Sequence, residues 1–123
     1  MKAFSFVSRQ PEGMPGCSVF ELHGYIDAHT VIEFEKAVNG AIEQGTRAVV
    51  LDIGGLSYIS SAGIGAVMGL TRKLSQSGGD LVLMNPTQKV HAILEGLGFT
   101  KIFKIAAGEE EAFGKLKGVA ETG

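Results

Sequence analysis

Residues 47–65 have the sequence RAVVLDIGGLSYISSAGIG and contain the pattern that decides the fold class. Residues 47–53 form an almost continuous apolar run, which is typical of a strand in a parallel sheet covered by helices on both faces. Gly54 and Gly55 predict a turn at the end of this strand. From residue 61 the apolar side chains recur at helical spacing, so the sequence predicts a strand followed by a helix.

The segments on either side of this stretch continue the alternation of strands and helices. The predicted strands are 3–8, 17–23, 47–53, 80–84 and 99–105, and the predicted helices are 28–44, 61–77, 86–97 and 109–117. The first two strands are separated by QPEGMPG, which predicts an opening hairpin. The other strands follow helices, and such an order builds a largely parallel sheet with crossover helices.

We therefore predict one α/β domain over residues 1–118, with four or five strands, followed by a disordered tail over 119–123. In the second strand we expect Phe20 and Leu22 on a buried face and Val19 on the opposite face. The positions at period 2 or 3.6 that we expect in the core are Leu22, Ile26, Val49, Leu51, Ile64, Met68, Val82, Ile93 and Leu97.

Composition and charge exclude several classes of protein. The 123-residue chain is 45% hydrophobic with a formal net charge of -2, so it carries no excess of positive charge for nucleic acid or an anionic membrane. No apolar run has the length of a membrane span, and the N-terminus lacks the pattern of a signal peptide. The single cysteine, Cys17, fits a reducing compartment. These features predict a cytoplasmic protein.

The sequence does not predict catalysis, a metal site or a cofactor. His23, His29, His91 and Cys17 lack the spacing of zinc ligands, of which a site needs three or four. The serines at 60 and 61 are outside a G-x-S-x-G elbow. The segment GIGAVMG at 63–69 is a loose match to a dinucleotide fingerprint, and glycines that permit close helix packing explain it more simply.

Ser60 and Ser61 stand where the buried strand gives way to the helix. A serine at this place caps the helix, because its oxygen accepts a hydrogen bond from an unpaired backbone N–H. The same N–H groups and the positive end of the helix dipole also stabilise an anion. A phosphate on Ser61 would therefore lie where the backbone favours negative charge, and the two interpretations, cap alone or cap with a switch, both stay open at this point.

Three separated motifs resemble those of the STAS family of anti-sigma factor antagonists. GYIDAHT at 24–30 is similar to the turn after that family's second strand, and RAVVLDI at 47–53 is similar to its central strand. LSYISSAGIG at 56–65 resembles the family's L-x-(F/Y)-(M/I)-D-S-(S/T)-G-(L/I)-G segment. The resemblance covers about residues 3–115, and the motifs occur in the family's order.

The resemblance implies a curved sheet with its helices packed largely on one side and no enzyme activity. It implies an anti-sigma factor that is also a serine kinase as the partner, and a PP2C-type phosphatase that reverses the modification. By position, Ser61 matches the phosphorylated serine, with Ser60 as the alternative. Two departures are Ser60 in place of the family's acid and Ala62 in place of a hydroxyl residue.

The partner surface is expected where the 24–30 turn meets the start of the second helix, because both segments follow strands of one parallel sheet. The predicted contact residues are Asp27, Ala28, Thr30, Ser60, Ser61, Ala62, Gly63 and Ile64. Asp27 and Thr30 are also candidates for caps of the first helix. We expect Gly63→Arg to block binding with little change in melting temperature.

Two other functions remain open from the sequence. One is a constitutive scaffold or complex subunit, stressosome-like or associated with a transport system, in which Ser61 is only a cap. The other is a STAS module that binds a nucleotide at the Gly63–Gly65 helix start. The sequence leaves the oligomeric state open.

Overall fold

The computed structural model describes residues 3–119, which form five strands and four helices. The strands are β1 (Phe4–Arg9), β2 (Cys17–Ile26), β3 (Ala48–Ile59), β4 (Asp80–Met84) and β5 (Lys104–Ala106). The helices are α1 (Val31–Glu43), α2 (Ser61–Gln76), α3 (Gln88–Gly96) and α4 (Glu109–Leu116), with a 3-10 turn at Phe99–Lys101.

The strands form one mixed sheet in the order β1-β2-β3-β4-β5. β1 and β2 are antiparallel, whereas β2–β3, β3–β4 and β4–β5 are parallel. Each parallel pair is connected through a helix, as crossover geometry requires. The prediction of a single α/β domain with a mostly parallel sheet after an opening hairpin is confirmed.

Apolar side chains on the two faces of the sheet form two clusters of different size. The larger cluster lies between the sheet and α1, α2 and α3, and includes Phe34, Leu74 and Leu94 from these helices. The smaller cluster lies on the opposite face, where α4 places Ala112 and Leu116 against Val50 and Val82. Three helices therefore cover one face and one helix covers part of the other, in agreement with the predicted distribution.

β3 is longer than predicted, and Gly54 and Gly55 lie inside it rather than in a turn. The pairing of β2 with β3 is shifted twice, between Glu21 and His23 and between Gly24 and Tyr25. A Cβ atom at Gly55 would lie 2.4 Å from His23 Nδ1, and one at Gly54 would lie 2.4 Å from Asn85 Nδ2. The two glycines thus permit close approach of neighbouring side chains inside a bulged strand.

The second strand also differs from its prediction. Val19 is buried like Phe20, because α4 supplies a second apolar cluster on the face that we expected to be open. The first half of β2 is therefore buried on both faces, and only its second half, with Glu21, His23 and Tyr25 partly or fully exposed, alternates as expected.

Three predictions in the C-terminal half were wrong in detail. The segment 99–105 begins with a 3-10 turn, and only Lys104–Ala106 is a strand. The helix predicted from residue 86 begins at Gln88, because Thr87 is its cap and the Thr87 side chain accepts a hydrogen bond from the Val90 N–H. Leu97 is 57% exposed because it follows the last turn of α3, so it does not belong to the core.

The remaining predicted core residues are buried, except that Met68 and Ile93 are only partly buried against the larger cluster. Of the predicted tail, Val119 packs against the smaller cluster, and residues 120–123 lie outside the described part of the chain. Among residues 3–119, none of the helices combines the length and apolar character that a membrane span requires.

Candidate functional site

The predicted contact segments lie side by side at one end of the sheet. β2 and β3 are paired up to Ile26 and Ile59, and the Ser60 N–H donates a hydrogen bond to the Ile26 carbonyl oxygen at 2.9 Å. The Ser57 hydroxyl also donates to the Gly24 carbonyl oxygen at 3.1 Å. The turn before α1 and the start of α2 therefore share one surface, as the parallel arrangement of the strands predicted.

The turn before α1 is closed by its own polar groups. Asp27 Oδ1 accepts hydrogen bonds from the N–H groups of His29 at 2.8 Å and Thr30 at 3.2 Å. The Thr30 hydroxyl donates to the Tyr25 carbonyl oxygen at 2.9 Å and accepts from the Asp27 N–H at 3.0 Å. These bonds occupy one carboxylate oxygen of Asp27 and the hydroxyl of Thr30, so both side chains stabilise the turn.

This arrangement refines the predicted capping roles. Thr30 stands at the N-cap position of α1 without a capping bond from its side chain, while Asp27 lies before the cap and holds the turn. The helix also begins at Val31, later than the predicted residue 28. An Asx-type turn, in which the carboxylate bonds to the backbone two residues on, accounts for the delay.

The start of α2 is more open than that of α1. Ser60 is the N-cap, and its hydroxyl accepts from the Gly63 N–H at a rather long 3.4 Å. Ser61 and Ala62 follow as the first helical residues, and both are exposed. The capping serine is thus Ser60, whereas the sequence had suggested that Ser61 could be the cap.

Helix geometry leaves the first four N–H groups of α2 without partners inside the helix. Those of Ser60 and Gly63 are bonded to the Ile26 carbonyl and the Ser60 hydroxyl. Within the described residues, no hydrogen bond is formed by the amides of Ser61 and Ala62, and the first turn contains no acidic residue. This end of the helix therefore retains its preference for an anion.

Three of the eight predicted contact residues are buried. Gly63 and Ile64 face the larger cluster, and Thr30 is only 7% exposed. The surface available to a partner is consequently reduced to Asp27, Ala28, Ser60, Ser61 and Ala62.

Gly63 has a structural role that the sequence did not show. A Cβ atom at this position would lie 2.7 Å from Ile59 Cγ1 and 2.8 Å from Ile26 Cγ2. Gly63→Arg would therefore disrupt the packing of α2 on the sheet, and the expectation that it leaves stability unchanged was wrong. At Gly65 a Cβ atom would meet nothing within 4 Å, so this exposed position accepts a side chain.

Exposed apolar side chains next to the site were missed by the sequence reasoning. Tyr25 and Tyr58 are register partners in β2 and β3, with 36% and 42% of their surface exposed. Ile32, in the first turn of α1, is 61% exposed. The alternation of Tyr25 with buried Ile26, and of Tyr58 with buried Ile59, is the signal that could have revealed the tyrosines.

The residues considered as metal ligands or nucleophiles do not gather into a cluster within the described chain. Cys17 is buried, and burial raises the pKa of its thiol to about 11, so the thiol is neutral and inaccessible near pH 7. No group of three or more potential metal ligands occurs between Ala3 and Val119. Of the three glycines at 63–69, Gly63 is required for close packing, whereas a Cβ atom at Gly65 or Gly69 would meet nothing within 4 Å, so close packing explains only the first of them.

Comparison with known proteins identifies relatives along most of the chain. The STAS domain family matches residues 8–112. BtrV of Bordetella bronchiseptica, provisionally named an anti-sigma factor antagonist, is 35% identical over 96 residues, which cover 78% of this chain and 83% of BtrV. The anti-sigma F factor antagonist of Lysinibacillus sphaericus is 30% identical over 102 residues, covering 82% of this chain and 86% of the relative.

Solved structures show the same fold. The anti-sigma factor antagonist SpoIIAA in its unphosphorylated form has a TM-score of 0.74 and 28% identity, with 90% of this chain and 95% of SpoIIAA covered. The phosphorylated form of SpoIIAA from Bacillus has a TM-score of 0.67 and 27% identity, with 90% and 98% covered. The match over residues 8–112, the relatives and the mixed five-stranded sheet together show that this chain belongs to the STAS domain family.

Proposed function

We propose that this protein is an anti-sigma factor antagonist that binds an anti-sigma factor of the serine-kinase type and is released when Ser61 is phosphorylated. A PP2C-type phosphatase restores binding. BtrV and the Lysinibacillus protein bear the name of such antagonists, and SpoIIAA is known in phosphorylated and unphosphorylated forms. In this role the protein acts by binding, without catalysis, and we expect it to do so in the cytoplasm.

The observation that supports the switch is the exposed Ser61 hydroxyl next to the amides of Ser61 and Ala62, which form no hydrogen bond within the described residues. A phosphate there adds about -1.5 to -2 charges at pH 7. In the unbound protein the amides of Ser61 and Ala62 and the helix dipole favour that charge, and no carboxylate in the first turn of α2 opposes it. The fold should therefore tolerate phosphorylation without rearrangement.

The complex with the anti-sigma factor should not tolerate phosphorylation of Ser61. Ser61 is followed by exposed Ala62 and is close in sequence to exposed Tyr58. The bond from the Ser60 N–H to the Ile26 carbonyl oxygen brings the turn with exposed Ala28 to the same end of the sheet, so these residues offer a surface for close packing. Association would remove water from the phosphate, and a charge in an apolar interface is unfavourable. A penalty of about 3 kcal/mol weakens binding about a hundredfold, which is enough to reverse occupancy near the dissociation constant.

The geometry favours Ser61 over Ser60 as the modified residue. Ser60 is half-buried, and its hydroxyl accepts a hydrogen bond from the Gly63 N–H. Ser61, at the first helical position, is exposed. Ser60 also supplies a capping oxygen, as an aspartate at this position would. The absence of the family's acid therefore leaves the helix cap in place.

The first test is phosphorylation by the kinase-type anti-sigma factor encoded in the same genome, with ATP, followed by intact-mass and peptide mass analysis. We expect one added phosphate, +80 Da, located on Ser61, in the parent and none in Ser61→Ala. Binding of the same partner should be retained by Ser61→Ala and weakened about a hundredfold by phosphorylation. Equal affinity of Ser61→Ala and the phosphorylated parent would exclude the switch.

The position of the surface is tested separately with two arginine variants. Gly65→Arg places a long charged side chain on the exposed face of α2 beside Ser61, in a position with open space. Gly114→Arg makes the same change at an exposed position of α4, on the other face of the sheet. We expect Gly65→Arg alone to reduce partner binding, and equal binding by both variants would place the surface elsewhere.

A further inference from the structure

Among residues 3–119, no further strand pairs with the outer edge of β1. In the described part of the chain β1 is paired with β2 only, in unbroken register from Phe4–Gly24 to Arg9–Val19. Natural proteins protect such edges with lysine, proline, a bulge or a covering segment. β1 has the sequence FSFVSR, which contains no lysine or proline and places its one charged residue, Arg9, at its end, and no register shift interrupts its pairing.

The backbone groups available at this edge follow from the pairing. The Tyr25 N–H donates to the Ala3 carbonyl oxygen at 3.0 Å, so Ala3 directs its backbone groups towards β2. In an antiparallel ladder successive residues alternate in this respect. Phe4, Phe6 and Ser8 therefore direct their N–H and C=O groups away from the sheet, where they can bond another strand.

A groove lies beside the same edge, on the face of the sheet that carries α1. It has a volume of about 510 Å³, and is lined by Phe6 and Phe20 from the sheet and by Ala37, Gly40 and Ala41 from α1, among others. Phe6 is 37% exposed, with its ring 5.9 Å from that of Phe20. A strand added about 4.8 Å beyond β1 would direct alternate side chains towards the mouth of this groove.

We infer that β1 pairs antiparallel with β1 of a second copy of this chain, with Phe6 opposite Phe6 on the two-fold axis. Opposite residues of an antiparallel pair have their side chains on the same face of the sheet. Around such an axis an even-numbered residue of β1 can therefore lie opposite only an even-numbered residue, and an odd-numbered residue opposite only an odd-numbered one. With Phe6 at the centre, Phe4 lies opposite Ser8 of the second copy. All three outward-facing residues of each strand are then paired.

The lack of charge along most of β1 favours a second copy of the chain as the partner at this edge. The paired stretch Phe4–Ser8 contains no charged residue, so no like charges are brought together. Arg9 lies beyond the paired stretch and forms ion pairs with Glu21 and Glu109 of its own chain. The Phe6 side chain of each copy would extend towards the groove of the other. Each copy would thus contribute the same β1 edge and the same groove, as an isologous interface requires.

The pairing would leave the proposed partner surface accessible. Asp27 and Ser60 adjoin the end of β2 that lies opposite the beginning of β1. Antiparallel pairing places the two beginnings at opposite ends of the joint edge. A dimer would therefore present two partner surfaces that point apart, and the inference does not depend on the proposed function.

The test is sedimentation equilibrium of the unphosphorylated full-length protein from about 10 μM to 1 mM, with Ser8→Pro and Ser8→Ala as a matched pair. Proline removes the outward Ser8 N–H and is tolerated on an edge strand whose N–H faces away from the sheet. We expect a reversible dimer of the parent and of Ser8→Ala, and dimerisation weakened about tenfold or more in Ser8→Pro, which loses two ladder bonds per dimer. A parent that stays monomeric at 1 mM, or a Ser8→Pro dimer as tight as the parent's, would overturn the inference.

Oxidative cross-linking tests the register of the β1–β1 pairing, and it does not require that the Ser8→Pro variant folds. Cysteines at Phe6 would face each other across the axis at about 5.5 Å between Cα atoms, which is within the range of a disulfide. Cysteines at Val7, 57% exposed, would each lie opposite Ser5 of the other copy. We expect Phe6→Cys to form a disulfide-linked dimer faster than Val7→Cys, and the reverse order would contradict the Phe6-centred pairing.

Discussion

The starts of α1 and α2 lie side by side, yet their polar groups are used in opposite ways. Before α1, the Asp27 carboxylate and the Thr30 hydroxyl are engaged in hydrogen bonds of the turn itself. At α2 only the Ser60 hydroxyl caps, through one 3.4 Å bond, and the amides of Ser61 and Ala62 have no partner in the described chain. A helix N-terminus can therefore receive an anion only where its own side chains leave amides unpaired.

The largest effect is expected from Gly63→Arg, at the buried side of the α2 start. The side chain would enter a space where even a Cβ atom approaches Ile59 and Ile26 within 3.0 Å, so we expect a loss of more than about 4 kcal/mol in the free energy of unfolding. Gly65→Arg, two residues on in open space, should not lower it, because arginine is a better helix former than glycine. Urea denaturation measures both, and a cooperative Gly63→Arg transition at the parent's midpoint would show that this side of the helix start is not packed.

Removal of the carboxylate that closes the α1 start should have the next largest effect. Asp27→Ala leaves the amides of His29 and Thr30 without their side-chain acceptor, and we expect a loss of about 1–2 kcal/mol in unfolding free energy. His29→Ala, which alters an exposed side chain in the same turn, should cost less than about 0.5 kcal/mol. Equal stability of the two variants by thermal or urea denaturation would show that the Asp27 bonds do not hold the turn.

The cap of α2 is weaker, so its removal should cost less than that of Asp27. Because the Ser60–Gly63 bond is long, we expect Ser60→Ala to lose about 0.5–1 kcal/mol and Ser61→Ala to be nearly neutral. Ser60→Asp should regain the cap and add a favourable interaction with the dipole. Should Ser61→Ala be the more destabilising variant in urea denaturation, the assignment of Ser60 as the cap would be wrong.

The smallest effect concerns the unpaired amides themselves. Ser61→Asp places a carboxylate at the first position of α2, where we expect about 0.5 kcal/mol of stabilisation in low salt. Ser75→Asp makes the same change in the exposed last turn, where the dipole opposes a negative charge, so a loss of similar size should result. Melting temperatures at low and high salt measure both, and destabilisation by Ser61→Asp at low salt would contradict an anion-tolerant helix start.

Most elements of the fold could be predicted because each has a strong local signal. The apolar run at 47–53 and the helical period after residue 61 predicted β3 and α2, and both elements occur. The predictions were wrong where contacts with residues distant in sequence outweighed a local signal. Gly54 and Gly55 resemble a turn in sequence, but His23 and Asn85 pack over them inside a continuous strand.

The candidate site, like the fold, was predicted only in part from local sequence signals. The motifs predicted that the 24–30 turn and the 60–65 segment meet, because parallel strands end at the same edge of a sheet. They could not show which of the eight residues face outward, since Thr30, Gly63 and Ile64 are polar, small and apolar in sequence yet are all buried. Burial depends on the angle at which a helix packs on the sheet, which no single stretch of sequence specifies.

By itself, the sequence determined the order of strands and helices, the opening hairpin, and the two serines at the start of α2. Periodicity and capping chemistry are local, so they can be deduced from residues a few positions apart. Tertiary structure decided that Ser60 caps while Ser61 is exposed, that Gly63 is required for packing, and that α4 closes a second cluster over Val19. The Ser60 cap is itself a local bond, but the start of α2 is held by the bond from the Ser60 N–H to the Ile26 carbonyl oxygen. The packing of Gly63 against Ile26 and that of Val19 in the cluster with Ala112 likewise join residues far apart in the chain, and only the folded chain brings such residues together.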